Sequence, residues 1–258
     1  MCDYNLRGLS EPRCPECGYR FEWDALLDPT KRLHPYLFEH HPERNVRSFV
    51  RTFLGGLLPR RFWRGLQPAQ PSFPGRLAAY ASVVLVALVV LAPAAVLLYT
   101  AATLMLRFGW LRTWGQAFDL IRSARFSVPV FHMIGYYLLW AAGTFLALLV
   151  FRISMRRARI RPVHVVRCVI YSFDAAVWAV ILVVAAAVAT AAGIYVLRLQ
   201  AFHGLAFLVV AAPWAVAAVV FYRLVIAYRL YLRFDHPFLT VLASQLIAWL
   251  IVLNVAFW

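Results

Sequence analysis

The sequence predicts an all-α fold, a polytopic membrane bundle of five transmembrane helices with a small N-terminal zinc-ribbon-like head. Three observations predict it. Five long apolar stretches run over 77–106, 127–151, 166–197, 204–228 and 237–258. Each has the ~20 mainly apolar residues that a helix needs to cross a ~30 Å hydrocarbon core, and a helix satisfies its own backbone in lipid. The chain is 63% hydrophobic with a mean hydropathy of +0.71, against about 45–50% apolar residues in an ordinary soluble domain. Charge is also segregated. Residues 1–78 hold twelve basic and eight acidic side chains, whereas 79–258 hold fourteen basic side chains and only Asp119, Asp174 and Asp235 as acids. The net charge is +15, with Lys31 as the only lysine. Because the arginines flank the apolar stretches, this basic balance points to anionic lipid headgroups and not to nucleic acid.

The head, 1–33, carries three of the four cysteines, Cys2, Cys14 and Cys17. Cys14-Pro-Glu-Cys17-Gly18 has the form of a zinc knuckle. Two intervening residues let both thiolates reach one ion, and Gly18 can adopt φ > 0 where backbone nears sulfur. Cys2-Asp-Tyr echoes Cys17-Gly-Tyr, so Cys2 aligns with the second cysteine of another knuckle whose partner would precede Met1. The implied cofactor is a structural zinc at an incomplete site, with His34, Asp3 or water as the fourth ligand. A redox iron site would want four cysteines. The N-terminus shows no signal-peptide pattern.

The segment 34–76 begins with His34, His40 and His41, read as ordinary surface histidines. Over 45–57, Val46, Phe49, Val50, Phe53, Leu54 and Leu57 recur at helical steps with Arg44, Arg47 and Arg51 opposite. This predicts a basic amphipathic helix with Phe49, Phe53 and Leu57 toward lipid or the membrane body. Gly55-Gly56 and Pro59 end it. Arg60, Arg61, Trp63 and Arg64 follow, and together with Arg47 and Arg51 they are expected to touch lipid headgroups. Pro68, Pro71 and Pro74 form a stiff linker.

In the membrane domain, 77–258, the 152–167 connection carries six arginines and no acid. Such loops stay cytoplasmic. Counting outward, the N-terminus is cytoplasmic and the C-terminus external. The 107–126 connection holds four arginines on the outer side, with aromatics that suggest an interfacial helix. Asp174 lies inside the third stretch. An ionised aspartate there is costly and calls for a partner. Arg223 is first choice and Arg167 second. Gln245, Asn254 and His132 are candidates for interhelical hydrogen bonds. No Gly-Lys-Ser/Thr loop, His-Glu-x-x-His or Gly-x-Ser-x-Gly occurs, so no catalytic constellation is predicted.

Arg51-Thr-Phe-Leu-Gly-Gly-Leu-Leu-Pro59-Arg-Arg-Phe-Trp63 before the first stretch, and Val166-Arg-Cys-Val-Ile-Tyr-Ser172 at the third, resemble the entry segments of the Yip family. The five-span layout over about 47–258 is similar too. The head is similar to zinc-ribbon heads on bacterial membrane proteins, which implies the bacterial inner membrane. The Yip resemblance implies a role in membrane organisation or trafficking; no residue set carries over. The expected function is a non-enzymatic scaffold or adaptor, with anionic lipid, a cytoplasmic protein or a second copy as partner. The alternative is a small-molecule or lipid transporter lined by Asp174 and Arg223. A cavity reaching Asp174 would favour transport; a dry, packed pair would favour the scaffold.

Overall fold

A computed structural model describes residues 8–16, 18, 20–23, 33–68, 70–108, 124–150, 161–197 and 202–256. Described elements are helical throughout. They are α1 (Asn45–Gly55), α2 (Pro59–Gly65), α3 (Pro74–Phe108), α4 (Ala124–Val150), α5 (Pro162–Phe173), α6 (Ala175–Leu197), α7 (Phe202–Leu230) and α8 (Pro237–Ala256). Two 3-10 turns, Phe38–His40 and Pro42–Arg44, precede α1. Among the described residues four helical segments are long and apolar enough to cross a membrane, Pro74–Leu98, Pro162–Ala189, Ala211–Leu230 and Pro237–Val255, as expected of an integral membrane protein. The predicted second stretch is helical as α4, whose described apolar part, Ile134–Leu148, is shorter than a span. The connections 109–123, 151–160 and 198–201, on which the predicted topology and the interfacial helix of 107–126 depend, lie outside the described residues.

Prolines start α2, α3, α5 and α8. A first-turn proline loses no helical hydrogen bond and has the right φ already. α3 packs along α6, α4 along α8, and α7 against α2, α5, α6 and α8. Gly143 lets α4 approach α8: a methyl there would sit 3.4 Å from Ala248 Cα. Trp140 Nε1 donates to Gln245 Oε1 (2.8 Å), and Gln245 Nε2 donates to Thr144 Oγ1 (3.1 Å). Gln245 thus makes the interhelical bonds expected of it, while Asn254 and His132 are exposed.

The third predicted stretch is two helices broken at Asp174. The break frees carbonyls that an unbroken helix would use, and side chains take them up. Tyr137 donates its hydroxyl to the Phe173 carbonyl, and Arg223 Nη1 reaches the Tyr171 carbonyl (3.4 Å). α7 ends at Leu230, and Arg233 beyond it lies in the left-handed region at φ 55. The N–H groups of Leu232 and Phe234 fold back to Ala227 and Tyr228 carbonyls, which holds Tyr231 in the core.

α1 and α2 lie against the bundle, with Phe49 on Tyr80 and Phe53 on Trp178 as expected, and the reading of Trp63 changes. The inward row of α1 is Ser48 and Thr52, with Phe49 and Phe53 half-buried beside them. Thr52 Oγ1 accepts from Phe38 N (2.8 Å) and donates to Tyr36 O (3.3 Å). Hydroxyls face inward because they satisfy the irregular backbone of 36–41. Leu57, expected to face lipid or the membrane body, lies among the exposed apolar side chains Val46, Val50, Leu54 and Leu58. Trp63 is not a headgroup anchor: it is 1% exposed, with its ring centroid 5.5 Å from Tyr231 and 5.1 Å from Phe62. α2 is a short helix whose apolar pair Phe62-Trp63 can bury only by turning its arginines outward. Arg47, Arg51, Arg60, Arg61 and Arg64 are all exposed.

Candidate functional site

α5 carries a polar stripe on an otherwise apolar helix. His164, Arg167, Tyr171 and the following Asp174 recur at steps of three and four residues, one face of a helix, and all four are buried. Two ion pairs form along this face.

The first joins Glu39 to Arg167, both wholly shielded from solvent. Glu39 Oε1 accepts from Arg167 Nε (3.0 Å) and the Tyr171 hydroxyl (2.8 Å). Its Oε2 accepts from Arg167 Nη2 (2.8 Å) and the Phe73 N–H (3.3 Å). The remaining guanidinium donors go to the Tyr231 hydroxyl (2.8 Å) and the Pro71 carbonyl (3.0 Å). The Tyr231 hydroxyl also shares a hydrogen bond with His164 Nδ1, 2.7 Å away. The fork-to-fork geometry is the strong form of an arginine–carboxylate bond. It fastens the 3-10 turn preceding α1 to α5, 128 residues later. Arg76 adds a second tie, its Nη2 donating to the Phe38 carbonyl (2.7 Å).

The second pair is Asp174 with Arg223, the partner expected first. Arg223 Nη1 donates to Asp174 Oδ1, and the Tyr80 hydroxyl donates to Oδ2 (2.7 Å). Both charged residues are buried. Gly56 caps the pair: a methyl there would lie 3.3 Å from Arg223 Nη1 and 3.4 Å from Nη2. Arg167, second choice for Asp174, is committed to Glu39.

His34 and His40 are core residues, contrary to the surface reading. The His34 N–H donates to His40 Nδ1 (2.7 Å), and His40 Nε2 meets the Pro71 carbonyl (2.8 Å). These bonds call for neutral His40 protonated on Nε2. Burial lowers its pKa, the Pro71 bond and Glu39 opposing. Burial, with His40, His41 and Arg167 nearby, lowers His34 to about 4. The histidines were misread because flanking prolines and polar neighbours look like a surface loop, whereas their imidazoles serve the backbone of a packed one.

In the head, Gly18 adopts φ 68 and its N–H donates to the Cys14 carbonyl (2.9 Å), while Arg13 and Arg20 form an antiparallel bridge. Cys14 is buried. Cys2 and Cys17 lie outside the described residues. Among the described residues no group of three or more His, Cys, Asp or Glu side chains is set to hold a metal. One surface groove among the described residues is lined by Tyr36, Arg51, Leu54, Gly55, Leu58, Arg61 and Phe62, and a smaller one runs from Pro35 and His41 to Arg47 and Arg51; Asp174 and Arg223 line neither of these. Chemically, buried Glu39 accepts four hydrogen bonds and buried Asp174 two, an arrangement suited to holding elements together. Comparison of the chain with protein-family models, curated proteins and solved structures finds no match.

Proposed function

We propose that the protein is a non-enzymatic membrane scaffold or adaptor. Its apolar helices, five counting α4, anchor it, and its arginine-rich N-terminal segment is presented as a rigid surface on the cytoplasmic side. The observation that carries this reading is the closure of both ion pairs. Asp174 is 1% exposed and Arg223 3%, each with its neighbours in hydrogen-bond contact, and neither borders the surface grooves. A transport path would need water or substrate to reach a charged group lining it. The partners this surface fits are anionic lipid, a cytoplasmic protein or a second copy of the chain. The Yip-like layout and the bacterial inner membrane belong to the same proposal, as does an external C-terminus. The knuckle turn at Cys14 is compatible with zinc held by Cys2, Cys14 and Cys17, which metal analysis of the purified chain tests.

Thiol accessibility tests the reading. In a background without native cysteines, Val177→Cys places a small thiol about one turn from Asp174, where Val177 is buried and its N–H meets the Asp174 carbonyl. A membrane-impermeant maleimide is expected to leave it unlabelled from both sides in folded protein and to label it after SDS unfolding. Labelling of the folded protein from either side would reveal a water path to Asp174 and replace the scaffold with the transporter.

A further inference from the structure

The groove between α1 and α2 combines features that the ion pairs do not explain. Its volume is about 300 Å³, and it is open to solvent. Tyr36 and Phe62 form its aromatic floor, closed by Gly55, where a methyl would strike the Phe62 ring at 3.1 Å and the Tyr36 ring at 3.4 Å. Arg51 and Arg61 line it, and Leu54 and Leu58 are its exposed apolar residues. From Asn45 to Gly65 the chain has five arginines and no acid. None of the five has an acidic partner among the described residues.

Charge alone would suit any polyanion. Two observations select lipid. The apolar surface of α1 continues onto that of the membrane-spanning helices: Phe53, next to Leu54, stacks on Trp178 of α6 with ring centroids 4.5 Å apart. The exposed Ile181 and Leu182 follow one turn further along α6. Gly56, on the other side of Gly55, touches Arg223 of α7. The groove therefore opens beside the belt of exposed apolar side chains, at the depth where an amphipathic helix meets headgroups.

We propose that this groove is a site for an anionic phospholipid, in which Arg51 and Arg61 hold the headgroup phosphate and Leu54 and Leu58 receive its acyl chains. The Tyr36 hydroxyl supplies a further donor at the groove wall. The bidentate donor pattern of arginine suits a phosphate better than lysine would, and lysine is absent from this segment. The inference rests on the membrane placement proposed above.

The test uses the full chain purified in non-ionic detergent and titrated with phosphatidylglycerol or with phosphatidylcholine of the same acyl chains. Bound lipid is counted by native mass spectrometry. The unmodified protein is expected to prefer phosphatidylglycerol. A basic residue near an anionic headgroup contributes roughly a 5-fold gain, so Arg51→Gln with Arg61→Gln should weaken phosphatidylglycerol binding about 25-fold. Arg60→Gln with Arg64→Gln removes the same charge from outside the groove and should change it less than about 3-fold. Equal binding of both lipids, equal losses in the two double variants, or no loss in the first would overturn the proposal. Displacement of phosphatidylglycerol by free glycerol phosphate at equal concentration would assign the site to a soluble phosphate ester and overturn it too. All substituted arginines are exposed, so folding is expected to be unaffected, and thermal unfolding checks it. Failure here leaves the Val177→Cys result untouched, so the two readings fail separately.

Discussion

Replacing Arg167 with methionine removes four hydrogen bonds at once, two to Glu39 and one each to Tyr231 and Pro71. The Glu39 carboxylate then keeps only the Tyr171 hydroxyl and the Phe73 N–H while remaining buried. Removing one partner of a buried ion pair typically costs ~3–5 kcal/mol, chiefly for the charge left behind. Glu39→Gln keeps the shape and leaves the guanidinium a neutral acceptor, at a cost of about 1.5–3 kcal/mol. If the pair acts as one unit, the double variant should cost at least about 2 kcal/mol less than the sum, since it removes both charges. The assay is unfolding in mixed micelles at rising SDS fraction, followed by tryptophan fluorescence and helical circular dichroism. Additivity within about 0.5 kcal/mol would refute the reasoning, because it would mean that Glu39 and Arg167 do not sense each other despite a 2.8 Å separation.

Gly56→Ala should destabilise by ~1–3 kcal/mol through overpacking, because Arg223, pinned by Asp174, cannot withdraw from a methyl 3.3 Å away; Gly75→Ala, where nothing lies within 4 Å, is the neutral control in the same SDS titration. Stability should fall as pH drops: His34 has its folded pKa lowered to about 4, so the unfolded chain binds the extra proton first. The contribution is fully present above the ordinary ~6.5 and is lost progressively down to about pH 4, up to about 3 kcal/mol; a flat stability profile over that window, or an unchanged slope in His34→Gln, would contradict this. Trp140→Phe should cost roughly 0.6 kcal/mol, the usual size of an interhelical hydrogen bond in a membrane protein, and a Trp140→Phe/Gln245→Leu cycle measures it. Spin labels at Val86, Leu182 and Leu54 should differ in oxygen accessibility, the first two reading deep hydrocarbon and the third the interface; an aqueous signal at Leu54 would detach α1 from the bilayer.

The membrane helices were legible because hydropathy over about 20 residues is a strong, local signal. Asp174 with Arg223 was legible for a related reason. A carboxylate inside an apolar run must find a cation, and Arg223 lies at a comparable depth in the next stretch. Glu39 carried no such signal. It stands among prolines and histidines that read as a surface loop, and its partner is 128 residues away. The one clue was on the other side, the spacing of His164, Arg167, Tyr171 and Asp174 along a single helical face, which an apolar helix does not carry without partners. In α1 the period was right, since Phe49 packs on Tyr80 and Phe53 on Trp178, but the inward hydroxyls of Ser48 and Thr52 went unread. Periodicity tells where apolar side chains fall; it does not tell whether the neighbour on the other face is an irregular backbone that hydroxyls serve better. Trp63 was misassigned by a statistical preference of tryptophan for interfaces, which the packing of Phe62 and Tyr231 overrides.

The break at Asp174 also changes what kind of residue Asp174 is. α6 has 23 residues, about 34 Å of helix, long enough by itself to cover a hydrocarbon core. α5 with its stripe is then free to stand outside the core, enclosed by α2, α4, the start of α3 and the end of α7. The exposed side chains agree. Large exposed apolar residues on α3 begin at Val83, just beyond Tyr80, and on α6 at Ile181; on α7 the last is Tyr222, beside Arg223. Tyr80, Asp174 and Arg223 therefore share one level, next to the belt of exposed apolar side chains and on its α1 side. An aspartate at the bilayer centre would be a station on a path. An aspartate at this level, bonded to a tyrosine and an arginine and roofed by Gly56, joins the bundle to the protein layer above it. Glu39 and Arg167 join the same two parts one helical turn or more further out. The polar groups are concentrated where two differently solvated layers meet, and there a directional, fully satisfied bond can fix one orientation of the N-terminal segment that apolar packing alone would leave free to slide.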